Sequence, residues 1–250
     1  YSFFVFAGIQ YVFFRLAKKA VLQGRDLFAL LPLFSLLVVL RPLNLVLVVL
    51  PLLYILISNW SSLKKLKFEV KWIDGVLSIL LAAIPILLQG LYNLYAYDSF
   101  IADSYEAESF SNWNSMDLSA LWFSASNGVF VYIPILALMV IWVFRLIGSK
   151  NYSGLLYLGY FLVISFVYAA WLTPTLGCGF GHRGFTEHLT FFALPIGLTI
   201  SNIKPSGLKW TWLVVFLFGI LLFIAQWNFD GCWMGDGAWD WAEFWRLFRV

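Results

Sequence analysis

Gly75-Val-Leu-Ser-Ile-Leu-Leu-Ala-Ala-Ile-Pro-Ile-Leu-Leu-Gln-Gly-Leu-Tyr-Asn-Leu-Tyr95 is a long run without a single charge. At 1.5 Å per helical residue it crosses about 30 Å, the thickness of a bilayer's hydrocarbon core. Comparable runs lie on both sides of it: Tyr1 to Leu16, Leu27 to Leu40, Leu43 to Ser58, Gly128 to Ile147, Gly154 to Leu172, Glu187 to Asn202 and Trp210 to Trp227. The whole chain is 62% hydrophobic and only 12% charged, against roughly a quarter charged in soluble domains. So much apolar surface cannot hide in one core, and lipid must solvate it. The expected fold is an all-α polytopic transmembrane bundle of about eight spans, forming a single domain over 1–250.

Arg41-Pro42 interrupts the second and third runs. Together these are too long for one straight span. An arginine in lipid is costly and proline breaks the helical ladder, so a tight hairpin between two short helices is expected there. The basic residues support this count. Lys18, Lys19 and Arg25, then Lys64, Lys65, Lys67 and Lys71, then Arg145 and Lys150, then Lys204 and Lys209 all fall on one face of an eight-span map. The positive-inside rule makes that face cytoplasmic. Residues 96–127, 173–186 and 228–250 are then non-cytoplasmic, with Asp98, Asp103, Glu106, Glu108 and Asp117 in the first of them. Thirteen Trp suit the interfacial belt, where a ring buries its body and wets its polar edge. The short basic clusters form no stripe for nucleic acid.

The chain opens on Tyr1 directly in an apolar run, with no signal-peptide n-region, and reads as the later part of a longer protein. Near its end, Trp241, Phe244, Trp245 and Phe248 recur at helical spacing while Asp240, Glu243, Arg246 and Arg249 face away. This predicts a short C-terminal helix, lying either in the outer interface or on the protein's own loops.

The residues richest in chemistry are Leu176-Gly-Cys-Gly-Phe-Gly-His-Arg-Gly-Phe-Thr-Glu-His188. Four glycines permit close backbone approach. His182, Arg183, Glu187 and His188 follow, with Thr186 placed to cap the next helix. An arginine at a helix start suits a phosphate. The alternative is a self-bonded loop with Arg183 and Glu187 paired four residues apart. A metal site through His182, Glu187 and His188 lacks a recognised ligand spacing, so none is expected. The acidic aromatic segment 97–113, continuing to Asn127-Gly128, suits either a sugar or plain solvent. Arg41 is either functional or snorkelling at the interface. Cys178 and Cys232 both map to the outer face, where they are either a disulfide or two free thiols.

Four stretches carry a family resemblance: Arg41-Pro-Leu-Asn44; Leu121-Trp-Phe-Ser-Ala-Ser-Asn-Gly-Val-Phe-Val-Tyr-Ile-Pro134; Trp171 through Glu187; and Gln226-Trp227 through Trp245. In order and spacing they resemble the C-terminal half of bacterial membrane proteins related to the GT-C-fold glycosyltransferases. That superfamily includes the dolichyl-phosphate-mannose protein mannosyltransferases. The resemblance implies sugar transfer from a polyprenyl-phosphate carrier at the outer face of a bacterial inner membrane, with the Gly-rich loop and C-terminus periplasmic. It places the catalytic Asp in the first large external loop, before this sequence begins, so no catalytic residue is assigned. Arg183, Glu187, His182, Arg41 and Asn127 are the expected substrate-binding residues, with no cofactor beyond the lipid-phosphate sugar donor. His182 departs from the family, which carries an amide or a small polar residue there. The expected partners are membrane lipids, a lipid-linked sugar and other membrane subunits. The competing function is a non-catalytic accessory subunit of a larger membrane complex. A transporter is less favoured, because no paired intramembrane carboxylates or matching broken helices are seen.

Overall fold

The computed structural model describes residues 2–102, 109–148, 154–202, 204–233 and 237–249. Asp103, Glu106, Glu108 and Lys150 lie outside the described residues. The fold is predominantly helical, as composition requires. The chain was read as one domain, but its contacts divide it into two compact units, Tyr1–Glu106 and Ala107–Val250.

Unit 1 contains α1 (Ser2–Lys19), β1 (Val21–Gln23), α2 (Gly24–Leu40), α3 (Pro42–Leu47), α4 (Val49–Ser58), α5 (Trp60–Leu63), β2 (Lys67–Glu69) and α6 (Trp72–Tyr97). α1 and α2 are antiparallel: Gly8 faces Leu33, the Phe13 and Phe34 rings meet edge-on at 6.3 Å, and Arg15 is ion-paired with Asp26. α2 and α6 instead run in the same direction, with Gly24 against Asp74 at their starts and Ser35 donating to the Ala82 carbonyl further along. A methyl group on residue 24 would collide with the Asp74 carboxylate, which is why glycine stands there. β1 and β2 pair in parallel just before the two helices, in the register Val21↔Lys67 to Gln23↔Glu69. Each helix then starts on its own carboxylate. Asp26 accepts from the Gln23 N–H at 2.9 Å, and Asp74 from the Lys71 N–H at 3.2 Å.

Two parallel helices in sequence need a return path. α2 travels about 25 Å over its 17 residues, and α3, α4 and α5 carry the chain back. The break lies at Arg41, which is extended at φ −157° and ψ 98°, immediately before Pro42.

Unit 2 contains α7 (Leu118–Phe123), α8 (Val129–Tyr132), α9 (Leu136–Gly148), α10 (Gly154–Ala169), α11 (Arg183–Thr186), α12 (Leu189–Ser201), α13 (Pro205–Trp227) and α14 (Trp241–Arg246). The run from Gly128 to Ile147, expected as one span, is broken between α8 and α9. Pro134 lacks a ladder N–H and pushes Ile133 out of the helical region, to φ −129° and ψ 58°. The core is aromatic: Tyr157, Tyr160, Phe161 and Tyr168 of α10 pack on Phe185, Phe191 and Phe192. Thr199, near the end of α12, donates to the Leu138 carbonyl near the start of α9. A plain up-and-down order would set those two helices side by side in one direction, so unit 2 departs from it.

Trp72–Tyr97 and Lys209–Trp227 are long and apolar enough to cross a membrane, and only 11% and 6% of their spanning windows are buried in the protein. The core helix of a soluble domain would be mostly covered. The remaining apolar runs form helices that are shorter or less apolar than this.

At the C-terminus the expected short helix is α14, which ends before Phe248 and Arg249. Phe244 is buried with Ala125 and Tyr132, while Trp241 and Trp245 stay exposed. Glu243, expected on the solvent side, is buried instead. The Asp240 side chain caps the helix at the Glu243 N–H, and Arg246 reaches Glu243 at 3.8 Å.

Candidate functional site

Three segments of unit 2 that are far apart in sequence meet. Asn112 donates to the carbonyls of Trp171 and Leu172 at 2.8 and 3.0 Å, tying the first to the second. Ser126 bonds to Ala238 and Gly237 of the C-terminal segment. Cys178 and Cys232 are joined in a disulfide, with Cα atoms 4.2 Å apart. Of the two alternatives open for the cysteines, the structure has the bond.

Asn127 organises this junction. Its Nδ2 donates to the carbonyls of Thr175 and Gly177, both at 3.1 Å. Its Oδ1 accepts from the Gly181 N–H at 2.8 Å and the Trp233 indole N–H at 3.1 Å. Two donors and two acceptor positions exhaust a side-chain amide. Asn127 was expected to contact substrate, but it is buried and fully used in clamping the loop. Its backbone sits at φ +66°, a conformation Asn tolerates better than most residues.

His182 is likewise turned inward. It is 1% exposed, its Nε2–H donates to the Pro174 carbonyl at 3.0 Å, and its ring packs edge-on against Tyr168 and Phe185. Glu187 is also buried and does not line the adjacent cleft. His188 sits in a hydrogen-bond chain, with the Tyr160 hydroxyl hydrogen-bonded to its Nδ1 at 2.7 Å. Tyr168 lies on the other side of the ring, 3.5 Å from Nε2, and donates to the Gly184 carbonyl at 3.0 Å. Among the described residues no three His, Cys, Asp or Glu side chains converge as a metal set would. Thr186 does not cap the next helix; α12 starts from His188 without a side-chain cap.

Arg183 behaves differently. It is exposed and makes one long hydrogen bond, 3.4 Å to the Leu176 carbonyl. The single turn of α11 is too short to add a substantial dipole, so the guanidinium itself supplies the positive charge. It opens into a cleft of about 500 Å³ lined by Tyr132, Ile133 and Phe180, by His182, Arg183 and Thr186, and by Gly219, Leu222, Phe223 and Gln226. The last four recur at i, i+3, i+4 and i+7, one face of α13. The cleft is polar at the Arg183, Thr186 and Gln226 end and apolar along the helix. A second, almost wholly apolar trough of about 600 Å³ shares Tyr132, Ile133, Gly219 and Leu222. It continues along α13 to Val214, Thr211 and Trp210.

Sequence reading missed Gln226, Gly219 and Trp233 as contributors. The helical period of 219, 222, 223 and 226 was a usable signal for the first two. Nothing local marks Trp233, whose partner is 106 residues away. Arg41 belongs to unit 1, where it is half-buried at the break between α2 and α3 and its N–H donates to the Leu37 carbonyl at 2.9 Å. Comparison with protein-family models, with curated proteins and with solved structures finds no match to this chain.

Proposed function

We propose that this chain is embedded in a membrane and that unit 2 binds a lipid phosphate at the non-cytoplasmic face, as part of a GT-C-like glycosyltransferase using a polyprenyl-phosphate-linked sugar. One observation carries this reading: the guanidinium of Arg183 stands at the polar end of a trough that continues along the apolar, uncovered face of α13. A phosphate joined to an isoprenoid chain has the same asymmetry. Arg183 and Thr186 meet the charge, and Gly219, Leu222 and Phe223 meet the hydrocarbon.

Several features support the membrane placement. The two longest apolar helices are uncovered by protein. Within unit 1, the directions of α1, α2 and α6 fit alternating crossings with a return through residues 42–63. A disulfide is at home outside the cytoplasm, which suits a periplasmic side for the Gly-rich loop and C-terminus. Sugar transfer from a polyprenyl-phosphate donor by the full-length protein tests the activity. Donor binding by Arg183→Ala tests the site, and unchanged affinity would remove Arg183 from it.

A second reading, a non-catalytic subunit, draws on the C-terminal helix. Trp241 and Trp245 remain exposed although Phe244 beside them is buried, which suits docking of another membrane chain. It requires co-purification with a partner at fixed stoichiometry that is lost in a Trp241→Ala/Trp245→Ala variant.

A further inference from the structure

Unit 1 holds a separate cleft that the sugar-lipid reading does not use. About 220 Å³ in volume, it lies where α1 ends, β1 passes and α2 begins, lined by Arg15, Lys19, Gln23, Arg25, Asp26 and Glu69 among others. We propose that this cleft binds the phosphate headgroup of an anionic phospholipid in the cytoplasmic leaflet, with Lys19 and Arg25 as its cations. The proposal rests on the membrane placement argued above, not on sugar transfer.

The charges around it are unequally committed. Residues 15–26 and 64–74 carry eight Lys and Arg against Asp26, Glu69 and Asp74. Asp26 is taken by Arg15 and by the Gln23 N–H, and Asp74 by the Lys71 N–H. Arg15 is therefore a neutralised wall. Lys18 lies over the Phe14 ring, 4.6 Å from its centroid. Lys19 and Arg25 are exposed at the cleft, and Glu69, which accepts from Gln23 Nε2 at 3.1 Å, is the carboxylate that opposes them. Basic pockets between helices on the cytoplasmic side hold phospholipid headgroups by this kind of charge surplus.

Depth is fixed by a second observation. On the two-stranded ladder that walls the cleft, Phe68 is 72% exposed, and Trp72 just beyond it is 78% exposed, between Lys65, Lys67 and Lys71. Bare aromatic rings among lysines belong at headgroup level, where ring and ammonium are each in their preferred medium. The ladder thus holds the cleft where a phospholipid phosphate lies, which favours a lipid over free phosphate.

The test uses the full-length protein in detergent, titrated with dioleoyl-phosphatidylglycerol and read by native mass spectrometry, with dioleoyl-phosphatidylcholine as reference. Preferential retention of phosphatidylglycerol is expected, with affinity at least fivefold weaker in Lys19→Gln/Arg25→Gln. Glu69→Gln should bind about twofold or more tightly, because it removes the opposing charge. Lys64→Gln/Lys65→Gln, with the same loss of charge outside the cleft, should stay within twofold of wild type. Equal weakening by both double variants would show a diffuse surface field and overturn the site. Displacement of the lipid by millimolar inorganic phosphate would overturn the lipid assignment. Failure of the protein to enter bilayers at all would sink the membrane reading, whereas loss of this site alone leaves Arg183 untouched.

Discussion

The indole N–H of Trp233 donates to Oδ1 of Asn127 at 3.1 Å, across 106 residues of sequence. The same oxygen accepts the Gly181 N–H, so one amide holds the C-terminal segment and the Gly-rich loop together. Replacing Asn127 with Gly keeps the positive-φ backbone and removes only the side chain. Four hydrogen bonds are lost and the Thr175 and Gly177 carbonyls lose a donor. A destabilisation of about 2–4 kcal/mol is expected, at roughly 1 kcal/mol per bond. Thermal unfolding of Asn127→Gly beside wild type checks it, and an unchanged Tm would show that the clamp contributes nothing.

Arg183 should separate binding from folding. Its side chain is exposed with one 3.4 Å bond, so Arg183→Ala should unfold with wild type, within about 0.5 kcal/mol as surface changes do. Polyprenyl-phosphate affinity should fall tenfold or more, since hydrogen bonds to charged groups contribute about 1.5–3 kcal/mol. Arg183→Lys should recover part of the affinity, because lysine keeps the charge and loses the fork.

The Cys178–Cys232 bond closes a loop with a sequence separation of 54. Chain-entropy arguments put its stabilisation at about 4 kcal/mol as a ceiling. Cys178→Ser/Cys232→Ser should lower Tm by several degrees and abolish the gel-mobility difference between reduced and oxidised protein. If oxidised wild type carries free thiols in an alkylation assay, the bond is not formed.

Gly184 lies against the Tyr168 ring, where an added Cβ would come within 2.6 Å of the ring and displace it. Gly184→Ala should therefore break the bond from the Tyr168 hydroxyl to the Gly184 carbonyl and loosen the His188 chain behind it. A loss of about 1–3 kcal/mol is expected from this overpacking. Gly184→Ala/Tyr168→Phe shares the broken contact, so its loss should be less than the sum of the two single changes.

Asp117 caps α7, accepting from the Ser119 hydroxyl at 2.6 Å and the Ala120 N–H at 2.8 Å. The Ser119 bond first, and then the Ala120 N–H, hold its carboxyl below the usual 3.8. A lowered folded pKa means that its stabilisation is complete above the unfolded value and disappears as pH falls through the folded one. The Tm advantage of wild type over Asp117→Ala should therefore be constant from neutral pH down to about 5 and shrink below about 4. An advantage that persists unchanged at pH 2 would assign the effect to something other than the charge.

Much of this was legible in the residues. The apolar runs located the helices because length and charge-free composition are local properties. Arg41-Pro42 announced the end of α2 because proline acts on its immediate neighbours. Pro134 should have announced the break between α8 and α9 by the same rule, but the apolar residues around it read as continuous. The site was harder. His182, Glu187 and Asn127 are residue types that bind ligands or stabilise loops equally well. Only burial and hydrogen-bond partners, which are non-local, separate them from Arg183. Glu243 was misassigned because helical spacing gives a face, not what that face packs against.

The parallel pairing of Val21–Gln23 with Lys67–Glu69 also sets an order in time. The second strand leaves the ribosome only after α2 and the whole returning segment have been made. The first strand must therefore wait, unpaired, while those helices are made. Closing the ladder then requires that the helices between its strands bring the chain back to the level at which it left. A ribosome stalled just before Lys67 would hold a nascent chain whose first strand is still open.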